Sequence, residues 1–522
     1  MVDKIYLDAY KQEDTPYGQL APEVNKAVNN RMDQGTMILN YVGHGGEVQL
    51  SEERILQRAD VNSWRNGPKY PMMITGTCEF SRYDDHTRTS LGEYAFLNQY
   101  GGMIAMFTTA RVTYGPYNQQ FITAVYDHLF EIENGQRRRL GDVFRMAKTK
   151  GTIHERNYVF FGDPALRLPM PVRTVETTYI DDTLKALQPS LIEGVVKNLA
   201  GQVDTTFNGI VYVRVYDKET NYTTQGDEGT APYAFKLRQS VLFNGKVPVV
   251  NGHFSVDFIV PRDIAYPFGQ GMVSYYATDY VNDASGAFED FVIGGFYNDA
   301  VKDEDEPWVR LFIDDEKFVS GGITSDSPTL IAYVEDESGI NTTGAGIGHD
   351  IVATLYGPSN ESYNLNDYFV SDIGYQGKGS IRFRMQGLAE GDYLLTLKVW
   401  DIYNNSGMAS INFTVANSER MALEDPICYP NPFRDETCFS FGHNQIGNNM
   451  DVRICIFDMM GRLVAILDDH VSGTSARTNP IRWDGRANNG GLLPAGVYVY
   501  CITATNDHQE TATVTSKLII MR

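Results

Sequence analysis

The stretch TMILNYVGHGG, residues 36–46, decides how the first part of this chain folds. Its apolar run ends at Val42, and a glycine-rich segment around His44 follows. A second stretch, PMMITGTC at residues 71–78, repeats the pattern and ends at Cys78. Apolar runs of this length, without alternating polar residues, are typical of strands that a parallel sheet buries on both faces.

The ends of these two strands carry the residues that a thiol-dependent active site needs. Catalytic residues of such sheets gather at the carboxyl ends of the strands, where His44 and Cys78 both lie. A nucleophilic thiol needs a base that ionises it and N–H groups that hold an oxyanion. We therefore predict Cys78 as nucleophile, His44 as base, and the backbone amides of Gly45 and Cys78 as the oxyanion hole. The alternatives are a structural histidine and an inert core thiol.

Acidic residues lie close in sequence to both predicted catalytic residues. Glu79, Asp84 and Asp85 follow the nucleophile, and they would bind a basic residue of a substrate. The alternative is a solvated acidic loop that caps a helix. Glu47 would orient His44 or would be an exposed loop carboxylate, and the sequence leaves both questions open.

Periodicity in the rest of residues 1–171 predicts helices that alternate with buried strands. The predicted helices are residues 22–33, 51–59, 91–98, 117–130 and 139–150. The further predicted strands are residues 102–107 and 158–161. This alternation favours a parallel sheet covered by helices on both faces.

The texture of the sequence changes at about residue 172. Short alternating runs broken by Gly, Asn and Asp replace the helical patterns, as expected for all-β sandwiches. Acidic, proline-tipped residues 303–307 and residues 416–419 resemble linkers. We therefore predict a domain at 1–171 and immunoglobulin-like sandwiches at 172–302, 307–416 and 420–522.

The overall composition excludes some partners. The 522 residues contain 44 Lys and Arg against 66 Asp and Glu, a formal net charge of −22, which argues against nucleic acid as a partner. No apolar run approaches the roughly 18 residues of a membrane-spanning helix. The residues after Met1 lack a signal-peptide pattern, which alone predicts a cytoplasmic protein. The other features favour secretion, so we expect the natural protein to begin upstream of Met1.

Four cysteines, Cys428, Cys438, Cys455 and Cys501, lie in the last 95 residues. They allow three disulfide pairings in an oxidising compartment, and the alternative is that they are reduced thiols within strands. Their spacing fits no zinc motif, and we predict no catalytic metal. The acidic sandwich loops lack the spacing of an EF-hand, so structural calcium is an expectation by analogy with secreted peptidases.

Three motifs resemble the gingipain family of cysteine peptidases. They are NYVGHGG at 40–46, TGTC at 75–78 and FGDPALRLP at 161–169. The resemblance implies a caspase/gingipain-like α/β fold and a Cys-His peptidase mechanism. In this family the His and Cys lie late in the catalytic domain, so the resemblance implies that the upstream half is missing here.

Further motifs resemble proteins of type IX secretion. YPNPF at 429–433, IFDMMGR at 456–462, WDGR at 483–486 and LPAGVY at 493–498 are similar to its C-terminal sorting domain. SGIN at 338–341 and GIGHDI at 346–351 resemble a sandwich of the branch of the family that acts as the sortase of this system.

The resemblance to the sortase branch implies a location, a substrate and partners. It implies a cell-surface enzyme at the outer membrane that needs no cofactor and cleaves sorting domains from cargo proteins. It also implies that cargo is attached to anionic lipopolysaccharide, with a PorV-like outer-membrane β-barrel and the enzyme's own N-terminal part as partners. Two alternatives are a secreted endopeptidase with an ordinary sorting domain and a non-catalytic surface assembly or adhesion protein.

Overall fold

The computed structural model shows an α/β domain followed by three β-sandwiches. It describes residues 2–16, 18–133, 135–148, 153–226, 229–344, 348–374, 377–416, 421–445, 449–472, 477–506 and 510–521. The elements of the α/β domain, in chain order after a short 3-10 helix at Leu7–Ala9, are β1 Glu13–Thr15, β2 Gly18–Leu20, α1 Pro22–Gln34, β3 Ile38–Val42, β4 Gln49–Leu50, β5 Leu56–Gln57, α2 Arg58–Ser63, β6 Met72–Gly76, α3 Leu91–Leu97, β7 Ala105–Thr109, α4 Gly115–Leu129, β8 Ile132–Glu133, β9 Gln136–Arg137, α5 Leu140–Ala147, α6 Ile153–Arg156 and β10 Tyr158–Phe161.

The two apolar runs form neighbouring parallel strands, as predicted. The main sheet has the order β10-β7-β6-β3, and β3, β6 and β7 are parallel. Every residue of β6 and β7 is buried, because hydrophobic clusters cover both faces of the sheet. Met73 and Met106 belong to the cluster that includes α1, α2 and α3, whereas Ile74 and Phe107 belong to the cluster that includes α4 and α5.

The last strand of this sheet departs from the prediction of an all-parallel sheet. β10 is antiparallel to β7, with Tyr158 opposite Thr109. The Ala110 N–H donates to the Asn157 carbonyl over 2.9 Å. The chain therefore enters β10 beside the carboxyl end of β7 and must run back along it. An antiparallel strand at the edge of a parallel sheet is common in α/β folds.

The helix predicted at 51–59 is wrong. Residues 51–55 form the turn of the β4–β5 hairpin, in which Ser51 and Arg54 adopt left-handed φ angles of 60° and 57°. The helix starts only at Arg58, after a capping box in which the Gln57 N–H donates to the Asp60 carboxylate over 2.7 Å. The strand predicted at 102–107 lies slightly later, at Ala105–Thr109.

All further strands belong to the sandwiches. The strands of the first sandwich are β11 Arg173–Ile180, β12 Thr183–Ala186, β13 Pro189–Lys197, β14 Gly209–Tyr216, β15 Thr220–Thr223, β16 Ala234–Leu237, β17 Val241–Val249, β18 His253–Ile259, β19 Gly269–Gln270, β20 Met272–Thr278, β21 Asp283–Phe288 and β22 Val292–Phe296. The strands of the second are β23 Trp308–Ile313, β24 Gly322–Thr324, β25 Thr329–Glu335, β26 Val352–Tyr356, β27 Glu361–Asn364, β28 Phe369–Ser371, β29 Lys378–Arg384, β30 Gly391–Trp400 and β31 Ser406–Val415. The strands of the third are β32 Leu423–Tyr429, β33 Thr437–His443, β34 Asn449–Phe457, β35 Leu463–Ser472, β36 Ile481–Trp483, β37 Gly496–Asn506 and β38 Thr511–Ile520.

Each sandwich encloses a hydrophobic cluster of its own. The predicted fold class, an α/β domain followed by three sandwiches, is therefore confirmed. Residues 417–419 of the second predicted linker and residues 346–347 of the GIGHDI motif lie outside the described residues.

Hydrogen bonds connect these units to one another. The Asp8 carboxylate in the α/β domain accepts from the Gly226 N–H of the first sandwich over 3.1 Å. Asp263 of the first sandwich accepts from the side-chain amides of Asn341 and Asn404 in the second, over 3.0 and 2.9 Å.

A glycine allows α3 to pack against the turn that follows Cys78. The Gly92 N–H donates to the Phe80 carbonyl over 2.9 Å, and a Cβ at position 92 would lie 1.9 Å from Ser81 Oγ. Gly92→Ala should lower the free energy of unfolding by about 1–3 kcal/mol, as overpacking does. The matched control is Gly115→Ala, whose Cβ would meet nothing within 4 Å. Denaturant unfolding measures both variants, and equal stability of the two would contradict the prediction.

The third sandwich contains a buried histidine that should make it sensitive to acid. His443 is 1% exposed, its Nδ1 accepts the Gln445 N–H over 3.1 Å, and its Nε2 has no partner among the described residues. Burial lowers the pKa of His443 from 6.5 to about 4. The unfolded chain therefore binds more protons between these values, and stability that is complete above pH 6.5 falls as the pH drops through this window.

The free energy of unfolding lost across this pH window amounts to about 3 kcal/mol, at 1.36 kcal/mol per pKa unit. His443→Asn keeps an acceptor for the Gln445 N–H but cannot become charged. The variant should therefore lose less stability than the parent protein between pH 6.5 and pH 4. Calorimetric unfolding of the third sandwich across this range measures the difference, and parallel pH profiles would refute the role of His443.

Candidate active site

The pairing of β3 with β6 brings His44 and Cys78 to one edge of the sheet. Ile38 lies opposite Met72 and Val42 opposite Gly76, so each pair is 34 positions apart in sequence. His44 and Cys78 are separated by the same 34 positions. The Gly43 N–H continues the ladder by donating to the Gly76 carbonyl over 3.3 Å. Both residues therefore leave the sheet side by side, immediately beyond its last paired residues.

The backbone of the His44 segment is held in place, while its ring is exposed. The His44 carbonyl accepts from the Tyr41 hydroxyl over 2.5 Å and from the Ser51 N–H over 2.9 Å. Burial raises the pKa of Tyr41, so this hydroxyl keeps its proton and remains a donor. The imidazole makes no hydrogen bond to the described residues, which leaves it available to a substrate or to the thiol.

The Cys78 turn is fastened to the end of β7. The Thr77 carbonyl accepts from the hydroxyls of Thr109 and Thr113 over 2.7 and 2.9 Å. Glu79 has a φ of 50°, an uncommon left-handed conformation for a residue other than glycine. The half-buried Cys78 thiol donates to the Thr113 carbonyl over 3.3 Å. In this structure the thiol is therefore hydrogen-bonded to the Thr113 carbonyl and not to His44.

Both predicted oxyanion amides lack an acceptor among the residues that the structure describes. The bridge between Gly45 and Leu50 uses the His44 carbonyl and the Gly46 N–H, which donates to the Gln49 carbonyl over 3.0 Å. The amides of Gly45 and Cys78 therefore make no hydrogen bond within the described part of the chain. A Cβ at position 45 would lie 2.6 Å from Thr77 Oγ1, so Gly45 packs directly against the residue before the nucleophile. Their role as an oxyanion hole stays a prediction.

Tyr158 and Asn118 form a buried polar pair near Cys78 that the sequence-based predictions did not include. The Tyr158 hydroxyl donates to Asn118 Oδ1 over 2.8 Å, and both residues are buried. Burial raises the pKa of Tyr158, and the nearby Cys78 sulfur adds to the effect. The available signal was Asn118 itself, a polar residue on the helix face that buries Phe121 and Val125.

Glu47 joins the two catalytic segments instead of contacting the His44 ring. Its side chain is 11% exposed and lies 2.8 Å from Arg82 and 3.3 Å from Arg88. Arg82 also lies 3.5 Å from Glu79. An ion-pair network therefore connects the residues after His44 with those after Cys78, and neither sequence-based interpretation of Glu47 anticipated it.

The predicted substrate-binding carboxylates all have partners within the chain. Asp84 forms a two-pronged pair with Arg111 over 2.6 and 2.8 Å, and this pairing lowers the pKa of Asp84. Asp85 accepts from the Thr87 hydroxyl over 2.6 Å, and this bond lowers the pKa of Asp85. A basic substrate residue would have to compete with these partners, so binding by Glu79, Asp84 and Asp85 stays a prediction.

One carboxylate cluster among the described residues has ligand atoms close enough together for a metal ion. Oxygens of Asp303, Asp336 and Asp401 lie within 4.8 Å of one another. Burial raises the pKa of Asp401 to about 6, and the neighbouring carboxylates oppose its ionisation further. These residues belong to the second sandwich and the segment before it, not to the edge that carries His44. Calcium binding stays a prediction.

None of the helices in the described part of the chain is long and apolar enough to cross a membrane. This observation concerns helices alone.

Comparison with known proteins gives a family-model match for the first part of the chain. Residues 1–169 match the family model of peptidase family C25, which confirms for this range the family inferred from the three motifs. No curated protein matches the chain.

Three solved structures are similar to the chain. Dimeric latent PorU from Porphyromonas gingivalis is 28% identical to this chain, with a TM-score of 0.31. The match covers 80% of this chain and 41% of the PorU chain. The complex of the RgpB pro- and mature domains from the same organism is 15% identical, with a TM-score of 0.26. The match covers 50% of this chain and 57% of the RgpB chain. The Arg-specific cysteine proteinase gingipain R (RGPB) is 14% identical over 50% and 56%, also with a TM-score of 0.26. The chain thus spans about 41% of the length of the PorU chain.

Two adjacent glycines provide a test of how the His44 segment is positioned. In Gly45→Ala the new carbon would lie 2.6 Å from Thr77 Oγ1 and 3.1 Å from Leu50 Cδ2, whereas in Gly46→Ala it would meet nothing within 4 Å. A displacement of roughly 1 Å at a catalytic group costs about 100-fold in rate. For the Cys-His mechanism that the sequence predicts, the rate of peptide cleavage should therefore fall by about that factor in Gly45→Ala and stay unchanged in Gly46→Ala.

A double variant sharpens this comparison. Thr77 Oγ1 is buried and has no hydrogen-bond partner among the described residues, so Thr77→Ala breaks no hydrogen bond of this hydroxyl and removes the 2.6 Å contact. Gly45→Ala combined with Thr77→Ala should recover most of the lost activity. Equal activity of the two glycine variants, or no recovery in the double variant, would contradict this account of the loop.

Proposed function

We propose that this protein is a cysteine peptidase and acts as a sortase at the cell surface. The proposal is supported by the match of residues 1–169 to the family model of peptidase family C25. Its substrates would be cargo proteins with C-terminal sorting domains, and cleavage would allow their attachment to anionic lipopolysaccharide. The observation that carries the proposal is that His44 and Cys78 follow neighbouring strands at the same edge of the sheet. They are 34 positions apart in sequence, as are the paired residues of β3 and β6.

The proposed reaction begins with transfer of the thiol proton to His44. The Cys78 sulfur turns from the Thr113 carbonyl toward the imidazole, and the resulting thiolate attacks the carbonyl carbon of the scissile peptide. Negative charge develops on the carbonyl oxygen, to which the N–H groups of Gly45 and Cys78, unpaired among the described residues, would donate hydrogen bonds. Preorganised donors of this kind stabilise the transition state because they do not have to reorient during the reaction.

The second half of the reaction releases both products. When the tetrahedral intermediate collapses, the C–N bond breaks and the imidazolium gives its proton to the leaving amine, which is the new N-terminus of the sorting domain. The cargo remains on Cys78 as a thioester. Water, or an amine of the lipopolysaccharide, then attacks this thioester, His44 removes the attacking group's proton, and the thiol is restored.

The third sandwich is proposed to dock on a PorV-like outer-membrane β-barrel. Anchor residues of an interface must be accessible before binding, and among the aromatic motif residues Tyr429 is 76% exposed while Phe433 and Tyr498 are buried in the core. This contrast makes Tyr429 the candidate contact and gives the other two a packing role.

A non-catalytic surface protein is the second candidate function. The thiol's hydrogen bond to Thr113, in place of one to His44, favours it. Resting active sites often have long or misaligned hydrogen bonds that tighten when substrate binds, so we place the peptidase first. A secreted endopeptidase with an ordinary sorting domain would use the same two residues and would differ in losing its own C-terminal domain.

The test uses the full-length protein and a cargo protein that ends in a sorting domain. Cys78→Ala and His44→Ala should each slow release of the sorting domain by on the order of 1000-fold or more, because nucleophile and base act as a unit. Cys438→Ser and His253→Ala are matched controls that should leave release unchanged, since both lie in the sandwiches. Full activity of Cys78→Ala would refute the peptidase proposal.

The mass of the released cargo distinguishes the sortase from the endopeptidase. Hydrolysis leaves a free carboxylate, whereas transpeptidation joins the cargo to an added amine. Amine-adducted cargo, together with a retained C-terminal domain on the enzyme, supports the sortase. Hydrolysis alone, with loss of residues after about 420, supports the endopeptidase.

A further inference from the structure

Two cysteines of the third sandwich lie directly opposite each other on adjacent strands. β34 and β37 are antiparallel, and Cys455 is paired with Cys501. The two strands are the central pair of a sheet with the order β35-β34-β37-β38. The cysteines are 46 positions apart in sequence, so their juxtaposition is a product of the sheet register.

Both side chains point to the outer face of this sheet. Along β34, Ile454 and Ile456 are buried in the core while Cys455 between them is half-buried. Along β37, Tyr500 and Ile502 are buried in the same core while Cys501 between them is half-buried. Because successive side chains of a strand alternate between the two faces, the two thiols share the face directed away from the core and are accessible to small molecules.

The spacing of opposite residues in an antiparallel pair suits a disulfide bond. Their Cα atoms are roughly 4.5 or 5.5 Å apart, depending on the hydrogen-bonding position. Disulfides span Cα separations of about 4.4–6.8 Å. The register of Cys455 and Cys501 therefore places their Cα atoms within the range that a disulfide spans.

The other two cysteines of this sandwich do not have this arrangement. Cys428 is buried and lies opposite Phe439, a core residue, on the neighbouring strand. Cys438 lies opposite Tyr429, which is 76% exposed. Since opposite residues share a face, Cys428 and Cys438 point to different faces of their sheet. All four cysteines are free thiols in this structure. Of the pairings that they allow, the strand register favours Cys455 with Cys501.

We propose that Cys455 and Cys501 form a reversible cross-strand disulfide, an oxidation site that fastens the central strands of the third sandwich together. The co-reactant is a small-molecule disulfide such as oxidised glutathione. The thiolate of one cysteine attacks it, forms a mixed disulfide and releases one glutathione thiol. The thiolate of the second cysteine attacks the protein sulfur of that mixed disulfide and releases the other, so two thiols are oxidised and one disulfide is reduced.

The surroundings set the rate of this exchange. Burial raises the pKa of the Cys455 thiol, and the adjacent Cys501 sulfur adds to the effect. Because the thiolate is the reactive form, oxidation should accelerate as the pH rises above neutrality. Once formed, the bond closes a 46-residue loop and should make the sandwich harder to unfold.

The experiment uses the full chain with Cys78→Ala, so that the candidate nucleophile does not react. The protein is equilibrated with mixtures of reduced and oxidised glutathione, its free thiols are alkylated, and it is digested and mapped without reduction. We expect a linked peptide that contains Cys455 and Cys501, and alkylated Cys428 and Cys438. The midpoint of thermal unfolding of the third sandwich should rise by about 5 °C or more on oxidation, and reduction should reverse both changes.

Single substitutions separate this bond from unspecific oxidation. With Cys455→Ser, Cys501 should carry glutathione or stay free, no internal link should form, and the rise in unfolding temperature should disappear. Cys438→Ser should behave like the parent protein. A linked peptide that includes Cys428 or Cys438, or separate alkylation of Cys455 and Cys501 under the most oxidising mixture, would overturn the proposal.

Discussion

The parallel pairing of β3 with β6 is the interaction on which the candidate active site depends. A shift of one residue would turn every side chain of β6 to the opposite face. Both faces are covered by core clusters, with Met73 packed on one side and Met72 and Ile74 on the other, so a shifted register would place each of these side chains in a cavity shaped for another. Hydrophobic packing therefore fixes the register, and the register brings His44 beside Cys78.

The site is nonetheless built by more than two strands. Hydroxyls of Thr109 and Thr113 hold the Thr77 carbonyl, and the Arg82–Glu47 pair joins the segment after Cys78 to the segment after His44. These contacts satisfy the Thr77 carbonyl in a turn that contains a residue with a left-handed φ angle, Glu79. An unpaired backbone carbonyl in such a partly buried place would cost free energy, so the same hydrogen bonds both stabilise the turn and position Cys78.

Arginines offset the negative charge of the carboxylates near His44 and Cys78, although the chain as a whole is strongly acidic. Arg82 and Arg88 pair with Glu47 after His44, and Arg111 pairs with Asp84 after Cys78. The net charge of −22 therefore says little about the potential that a substrate meets at Cys78. It describes a self-repelling surface, which suits a protein that remains dispersed.

Local patterns in the sequence determined the strands around residues 36–42 and 71–77, the helices beginning near Pro22, Leu91 and Gly115, and the placement of His44 and Cys78 at strand ends. Apolar period and capping chemistry act over a few residues, so one sequence carries enough information for them. The direction of β10, the hairpin at 49–57, the arginine partners of the acidic loop and the face shared by Cys455 and Cys501 were decided by the tertiary structure. Each depends on contacts between residues distant in the chain, and the free energy of such contacts exists only once the core has formed.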